Sequence, residues 1–401
     1  MKTAAIISEF NPFHNGHEYL IRTLKEKHGF DHVVIIMSGN YVQRGEPAVF
    51  DKYTRASHAL MAGADLVVEM PVIFATSSAR EFATCGVKIA AALGIVDTLA
   101  FGVEDGVTLT ELNALSEAVH NVNDDIIKEL LSQGKTYPEA LGLSCGLNAP
   151  LSSNNILAVE YIDALKGTGI GALPIGRLGD GYSSEEITHS RFASAMSLRR
   201  LIAKNGDISP YVPSYTLGGD GGDFVYTGSP SGSVTHTATH TPTITTPDMM
   251  SAILSAALLK EDDFTRYLDI SREISDRLIN RRNTIMSFTD RVDDTKTRQF
   301  TRSRISRALL HIILGITREE FEVAKANGYV SSIRILGLRK DSGISSELKE
   351  KAALPVISRT AQYKDLLSRD IYFDQLYYSL TASKGEFERT PIIYPVTDFL
   401  I

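Results

Sequence analysis

Four short, largely apolar runs, Ala4 to Ile7, Val33 to Met37, Asp65 to Glu69 and Thr98 to Phe101, alternate with segments of helical periodicity at the start of this chain. Runs this short, closed by Gly or Pro, have the pattern of strands buried on both faces. Asp51 can cap a helix reaching Ala62, with Gly63 as its stop, and Thr76 to Leu93 reads as a long helix ending at Gly94. Strands and helices in this order join by right-handed crossovers, so the expected fold is α/β with a doubly wound parallel sheet.

In such a sheet, ligands bind beyond the carboxyl ends of the strands. Three polar loops fall there: Glu9 to His17, Ser38 to Glu46, and Gly102-Val103-Glu104. They are expected to form one crevice. Helical patterns resume at Leu109 to Val119 and Asn155 to Leu165, and Ala172 to Ile175 adds a strand leading into Gly176-Arg177. Residues 208–247 change character: Pro, Gly, Ser and Thr dominate, as in a linker or mobile loop. Beyond it, Asp248 to Arg282 and Arg302 to Leu314 carry helical periodicity, and Ser332 to Leu338 alternates like a strand. The expected organisation is a nucleotide-binding domain over 1–207, a flexible segment over 208–247, and a smaller, mainly helical or mixed domain over 248–401. No internal repeat is visible.

Composition narrows the function classes. With 41 Lys and Arg against 48 Asp and Glu, the chain carries a formal charge of −7, so nucleic-acid binding requires a local basic face. Cys85 and Cys145 lack any metal-ligand spacing, and Cys85, among Ala and Val, reads as a core residue. Neither a disulfide framework nor a metal site is expected. No secretory leader and no apolar stretch long enough to span a bilayer is visible, so the expected compartment is the cytoplasm, without membrane attachment. Nothing points to a protein partner.

The most informative segment is Phe10-Asn11-Pro12-Phe13-His14-Asn15-Gly16-His17, between the first strand and a helix continuing through Leu24. A helix N-terminus presents unpaired N–H groups and a positive dipole end, which suits a phosphate. Gly16 leaves room for close approach. His14 and His17 could donate to an α-phosphate and stabilise charge as pyrophosphate departs, which is electrostatic catalysis. An isolated turn of this kind could equally cap and pack its helix. Its position after a strand, among other polar loops, favours a nucleotide site.

The stretch EFNPFHNGHEYL resembles the HxGH signature of the nucleotidyltransferase superfamily, whose members bind ATP on a Rossmann-like sheet. SGNYVQRGEPAVFDKYTRASHALMAGADLVVEMP, LAFGVE, SSNNILAVEY and FASAMSLRRLI resemble one family within it, the tRNA(Met) cytidine acetate ligases. The resemblance is dense from residue 1 to about 205 and continues through KTRQFTRSRISRALLHIILGI and SIRILGL.

That resemblance implies activation of acetate by ATP, giving acetyl-adenylate and pyrophosphate, then transfer of acetyl to N4 of the wobble cytidine of elongator tRNA(Met). By matching motif, Ile7, Glu9, Asn11, Pro12, Phe13, His14, Gly16, His17 and Leu20 would wrap ATP, with His14 and His17 as the catalytic pair on its phosphates. Gly102 would allow close approach to the nucleotide, and Asn154 or Asn155 and Arg177 would complete the site. A helix N-cap is the alternative role for one of the two asparagines. Ser194 to Arg199 partly matches the second signature, ISSTxxR: Ser194 and Arg199 remain, whereas Ala195 and Met196 replace Ser and Thr. Asn40, Gln43 and Arg44 are candidates for the acetate or adenylate pocket. Lys52 and Arg55 share a helix face and could be solvent charges. Mg²⁺ is expected from the chemistry of ATP.

Lys296, Arg298, Arg302, Arg304 and Arg307 form a run without an acidic residue, suited to tRNA phosphates, and Arg281 and Arg282 could extend the same face. Phe300 within the run reads as a core anchor rather than a stacking residue. Two other functions stay open on the residues alone: adenylyl or cytidylyl transfer to a small metabolite, and ATP sensing by a non-catalytic RNA-binding protein. The basic run weighs against the first, and intact His14, Gly16, His17 and Arg199 against the second.

Overall fold

A computed structural model describes residues 1–104, 107–147, 150–177, 189, 191–217, 224–226, 234–236, 243–297, 300–340, 342–381 and 391–394. Its strands are β1 (Thr3–Ser8), β2 (His32–Ser38), a hairpin of β3 (Tyr41–Val42) and β4 (Glu46–Pro47), β5 (Leu66–Met70), β6 (Thr98–Val103) and β7 (Gly171–Gly176). They continue with β8 (Phe224–Tyr226), β9 (Val234–His236), β10 (Ile333–Arg339), β11 (Val356–Ile357) and β12 (Ile392–Tyr394). Helices of the first half include α1 (Asn15–Glu26), α2 (Lys52–Met61), α3 (Val72–Ala75), α4 (Ala79–Leu93), α5 (Leu109–His120), α6 (Asp124–Ser132), α7 (Tyr137–Ser144), α8 (Ser153–Leu165) and α9 (Ala195–Ala203). The second half adds α10 (Ser251–Leu258), α11 (Arg272–Arg281), α12 (Phe288–Thr295), α13 (Arg302–Leu314), α14 (Arg318–Ala326), α15 (Ile344–Lys351) and α16 (Ser368–Leu380).

The main sheet runs β7-β6-β1-β2-β5-β10-β12-β8-β9, with β11 also beside β10. From β7 to β5 all pairings are parallel, as the crossover pattern required. Period-two alternation sorts the strand side chains between two cores. Ala5, Ile7, Val34, Ile36 and Val68 join the cluster containing Phe82 and Ile89 of α4, whereas Ala4, Ile6, Val33, Ile35 and Val67 join the cluster containing Ile21 and Leu24 of α1 and Ala56 of α2. Each Val, Ile or Leu among them, when fully buried, contributes roughly 1.5–3 kcal/mol. Cys85 is buried in the first cluster, as its neighbours implied.

Local signals set the helix ends. Asp51 caps α2 by accepting from the Tyr53 and Thr54 amides, and Gly94 ends α4 in the left-handed region. The helix expected from Thr76 begins instead at Ala79. The Thr76 hydroxyl donates to the Val72 carbonyl and so helps to close the short α3, leaving Ser78 at the N-cap position of α4. The helical stretch expected over 248–282 is broken between α10 and α11, where Asp269 has φ of 65°.

The C-terminal part is mainly helical, but β10 does not found a separate sheet. It pairs antiparallel with β5, the edge of the parallel array, so the expected division between 1–207 and 248–401 is not a division of the sheet. Residues 208–247 are likewise not all linker: β8 and β9 extend the sheet, and Thr243 and Ile244 both donate their amides to the Val49 carbonyl. No helix among the described residues is long and apolar enough to cross a membrane.

Candidate functional site

A cavity opens at the carboxyl ends of β1, β6 and β7, where the topology predicted it. The chain leaves β1 through Phe10, whose φ of 48° is unusual for a residue with a side chain, and enters α1 at His14. His14 is the N-cap: its Nδ1 accepts the Gly16 amide at 3.1 Å, while the Nδ1 of His17 accepts the His14 amide at 3.2 Å. This is a capping box built from two imidazoles, in place of the usual hydroxyl and carboxylate. An Nδ1 that accepts cannot carry a proton, so the neutral rings both hold theirs on Nε2.

The rings stack 3.6 Å apart at 21°. Burial drives the His14 pKa down to about 3, with the Arg177 charge acting in the same direction. Burial likewise takes His17 well below its ordinary value, helped by His14 and Arg177. Two neutral Nε2–H donors therefore sit at the amino end of a helix. Phe10 and Phe13 pack edge-on beneath them with centroids 4.9 Å apart, and Phe10 meets the His17 ring at 4.8 Å.

Of the expected ATP-binding residues, Ile7, Glu9, Asn11, His14, Gly16, His17, Leu20, Gly102, Asn154, Arg177 and Arg199 line this cavity. Pro12 and Phe13 do not; Phe13 is fully buried under the histidines, so it supports the turn rather than facing a ligand. Gly16 also has an internal reason to be glycine, because a Cβ there would lie 3.0 Å from His14 Cε1. Asn154 faces the cavity and donates to Glu104 at 3.2 Å, whereas Asn155 stays out of the lining. Neither is the N-cap of α8; that position belongs to Ser152, which accepts the Asn155 amide. Ser194 is buried and caps α9 through its Oγ, accepting the Ser197 amide at 3.1 Å, so its hydroxyl is spent on the helix. Arg199, on the same helix, donates to the Asn11 carbonyl at 2.7 Å and pairs with Glu46 at 3.6 Å.

Gln43 and Arg44 line the cavity from the hairpin, but Asn40 does not. Asn40 is fully buried, donating to Asp374 and accepting the Lys52 amide, each at 2.8 Å. Lys52 and Arg55 are not solvent charges. Lys52 is fully buried against Glu69 at 3.0 Å and against Asp374, and Arg334 joins the same pair of carboxylates. Arg55, also fully buried, donates to the carbonyls of Glu9, Ser38, Gly39 and Phe50, tying together the loops that follow β1 and β2. Buried charges persist only when paired or fully hydrogen-bonded, and these satisfy that rule.

Sequence reasoning missed the apolar wall of Phe82, Phe101, Leu157 and Tyr161. Phe101 and Tyr161 pack against each other with centroids 5.4 Å apart and rings tilted by 44°. A wall of this kind suits the faces of a heterocycle. Two side-chain amides in the lining are also informative: Asn11 Nδ2 and Gln43 Nε2 are buried without a hydrogen-bond partner among the described residues.

The basic run begins at Lys296, just after α12, and continues on α13 with Arg302, Arg304 and Arg307, while Arg298 lies outside the described residues. Lys296 is exposed, Arg302 pairs with Asp293 at 3.0 Å, Arg304 lies over the Phe300 ring, and Arg307 pairs with Asp269 at 3.1 Å. Phe300 is buried, as a core anchor should be. Arg281 and Arg282 are likewise paired, with Asp294 and Asp262. The hairpin of the cavity rests directly on this helix: Ser306 donates to the Gly45 carbonyl at 3.0 Å, and a Cβ at Gly45 would fall 2.3 Å from the Arg307 amide nitrogen.

Residues 1–390 match the HIGH Nucleotidyl Transferase family. A tRNA(Met) cytidine acetate ligase of Thermoanaerobacter sp. (strain X514) is 34% identical over 393 residues, covering 94% of this chain and 93% of the relative. The ligase of Caldanaerobacter subterraneus subsp. tengcongensis is 33% identical over 422 residues, covering 96% and 98%. The crystal structure of apo Thermotoga maritima TmcAL superposes with a TM-score of 0.82 at 27% identity, over 99% of this chain and all of that one. The same protein bound with alpha-thio ATP superposes with a TM-score of 0.79.

Proposed function

Because this chain belongs to the HIGH nucleotidyl transferase family and, within it, to the tRNA(Met) cytidine acetate ligases, we propose that it activates acetate with ATP and acetylates N4 of the wobble cytidine of elongator tRNA(Met). The observation that carries this reading is the pair of neutral imidazoles at the α1 N-terminus, each with Nδ1 occupied by a backbone amide. Their Nε2–H groups would donate to the α- and β-phosphates, and Arg177 and Arg199 would bind the departing pyrophosphate. The base would lie along Phe101, Leu157 and Tyr161, with Gly102 and Asn154 beside the nucleoside.

Acetate attacks the α-phosphorus as its anion, so this half-reaction needs orientation and charge neutralisation more than proton transfer. Asn11 Nδ2 and Gln43 Nε2, both without partners among the described residues, and Arg44 would hold the carboxylate. Among the described residues no three His, Cys, Asp or Glu side chains gather to hold a metal, so Mg²⁺ would ride on the ATP phosphates. The tRNA would meet Lys296, Arg302 and Arg304, whereas Arg307 would stay on Asp269, with which it pairs at 3.1 Å. The setting for such an enzyme is the cytoplasm, where tRNA is found.

The test is acetate-dependent pyrophosphate release from ATP, with and without tRNA, followed by mass analysis of nucleosides. Release together with N4-acetylcytidine is expected. Release that requires a small phosphorylated or carboxylated metabolite would move the function to metabolite adenylylation, and ATP binding without release under any acceptor would make the protein a sensor.

A further inference from the structure

The second half-reaction of the ligase reading, on which this inference rests, must dispose of a proton. The cytidine N4 lone pair attacks the acetyl carbonyl carbon, the C–N bond forms, the C–O bond to the adenylate phosphate breaks, and AMP leaves as an anion. One N4 proton has to go to a base. The histidines cannot accept it, because Nδ1 of each already accepts a backbone amide and Nε2 already bears hydrogen. The lining arginines are cations. Among the described residues Glu9 is the one carboxylate that lines the cavity.

Glu9 is also held ready for such a role. It directly follows β1, and its Oε1 accepts the Gln43 amide at 2.7 Å, which fixes the carboxylate plane. Its own carbonyl is gripped by Arg55 at 2.6 Å. We propose that the Glu9 carboxylate is the general base that removes the N4 proton of cytidine during acetyl transfer.

Four charged groups surround it: Arg44 on the hairpin and Arg199 on α9 favour the anion, Glu46 on β4 opposes it, and the buried Arg55 lies behind the loop. Burial outweighs them and raises the pKa above the ordinary carboxylate value. A carboxylate whose pKa is raised by burial is a stronger base than a solvated one.

The experiment uses the full chain, synthetic acetyl-adenylate and a tRNA transcript with a wobble cytidine, in single turnover across a pH series. Glu9→Gln keeps an Oε1 to accept the Gln43 amide, and Glu9→Asp keeps a base on a shorter arm; thermal melts verify that both fold. Expected for Glu9→Gln is a fall in transfer rate of about 10²-fold or more and loss of the acid limb of the pH profile, with Glu9→Asp restoring the limb at an intermediate rate. Transfer by Glu9→Gln near the wild-type rate, or with the acid limb intact, overturns the proposal. So does an equal fall in acetate-dependent pyrophosphate release, which would place Glu9 in ATP binding alone. If the wild-type protein transfers no acetyl group from acetyl-adenylate to tRNA, the ligase reading itself fails.

Discussion

Gly16→Ala separates the stability of the α1 turn from its chemistry. Gly16 lies in the first turn of the helix, at a position where its φ is not in the left-handed region, so alanine meets no backbone penalty. Alanine is the better helix former by up to about 1 kcal/mol. Against this, its Cβ would sit 3.0 Å from Cε1 and 3.1 Å from Nδ1 of His14. Contacts that tight require the ring to yield by a few tenths of an ångström. The ring is stacked on His17 at 3.6 Å and bonded to the Gly16 amide itself, so its retreat would tilt Nε2–H away from the position proposed for the phosphate. A 1 Å misplacement can cost about 10²-fold in rate, and a shift of a third to a half of that should cost about tenfold, or ~1.4 kcal/mol of transition-state stabilisation. The assay is acetate-dependent ATP–pyrophosphate exchange beside a thermal melt. The expected result is exchange down about tenfold with the melting temperature changed by only a few degrees. Wild-type exchange would refute the idea that the His14 ring position limits adenylation.

Three further outcomes follow from the same structure. His14 is neutral when folded down to about pH 3, whereas in the unfolded chain it protonates near pH 6.5, so the unfolded state binds the extra proton between these values and stability falls as pH drops. His14→Asn, which can still cap the helix, should flatten the urea midpoint between pH 7 and 5; an unchanged slope would show that His14 is not the responsible group. Lys52→Met leaves Glu69 and Asp374 sharing Arg334 alone and should lower unfolding free energy by about 3–5 kcal/mol, whereas a change within about 0.5 kcal/mol would mean the ion cluster is solvated. Lys296→Ala should reduce the slope of log K for tRNA against log salt by roughly 0.7–0.9, while Arg307→Ala, already paired with Asp269, should leave that slope nearly intact. An equal drop for both would place Arg307 on the RNA.

The parallel half of the sheet was legible because strands buried on both faces announce themselves as unbroken apolar runs. The partner of β10 was not, since period-two alternation identifies a strand without naming its neighbour. Lys52 shows the same limit for charge: a polar helix pattern is identical whether its lysine meets water or meets Asp374, 322 residues away in sequence. The histidine turn was legible because its chemistry is local, held by bonds spanning two and three residues. The scaffold bonds of Asn40 and Ser194 were not legible for the complementary reason, since a polar residue beside a cavity can serve the scaffold as well as a ligand. Phe82, Phe101 and Tyr161 were taken up by the core pattern, although each also faces the cavity.

The antiparallel pairing of β10 with β5 sets an order of events for the growing chain. On the ribosome β1, β2, β5 and β6 emerge early, yet the outer edge of β5 has no partner until residues 333–339 appear. An uncovered, apolar strand edge is a template for association with other chains. Glu69 on that same strand waits for Arg334 and Lys52 waits for Asp374, so the ion cluster closes only near the end of synthesis. The nucleotide half therefore matures last, although it is made first, and a fragment ending near residue 207 would collect as aggregate rather than as a working ATP-binding module.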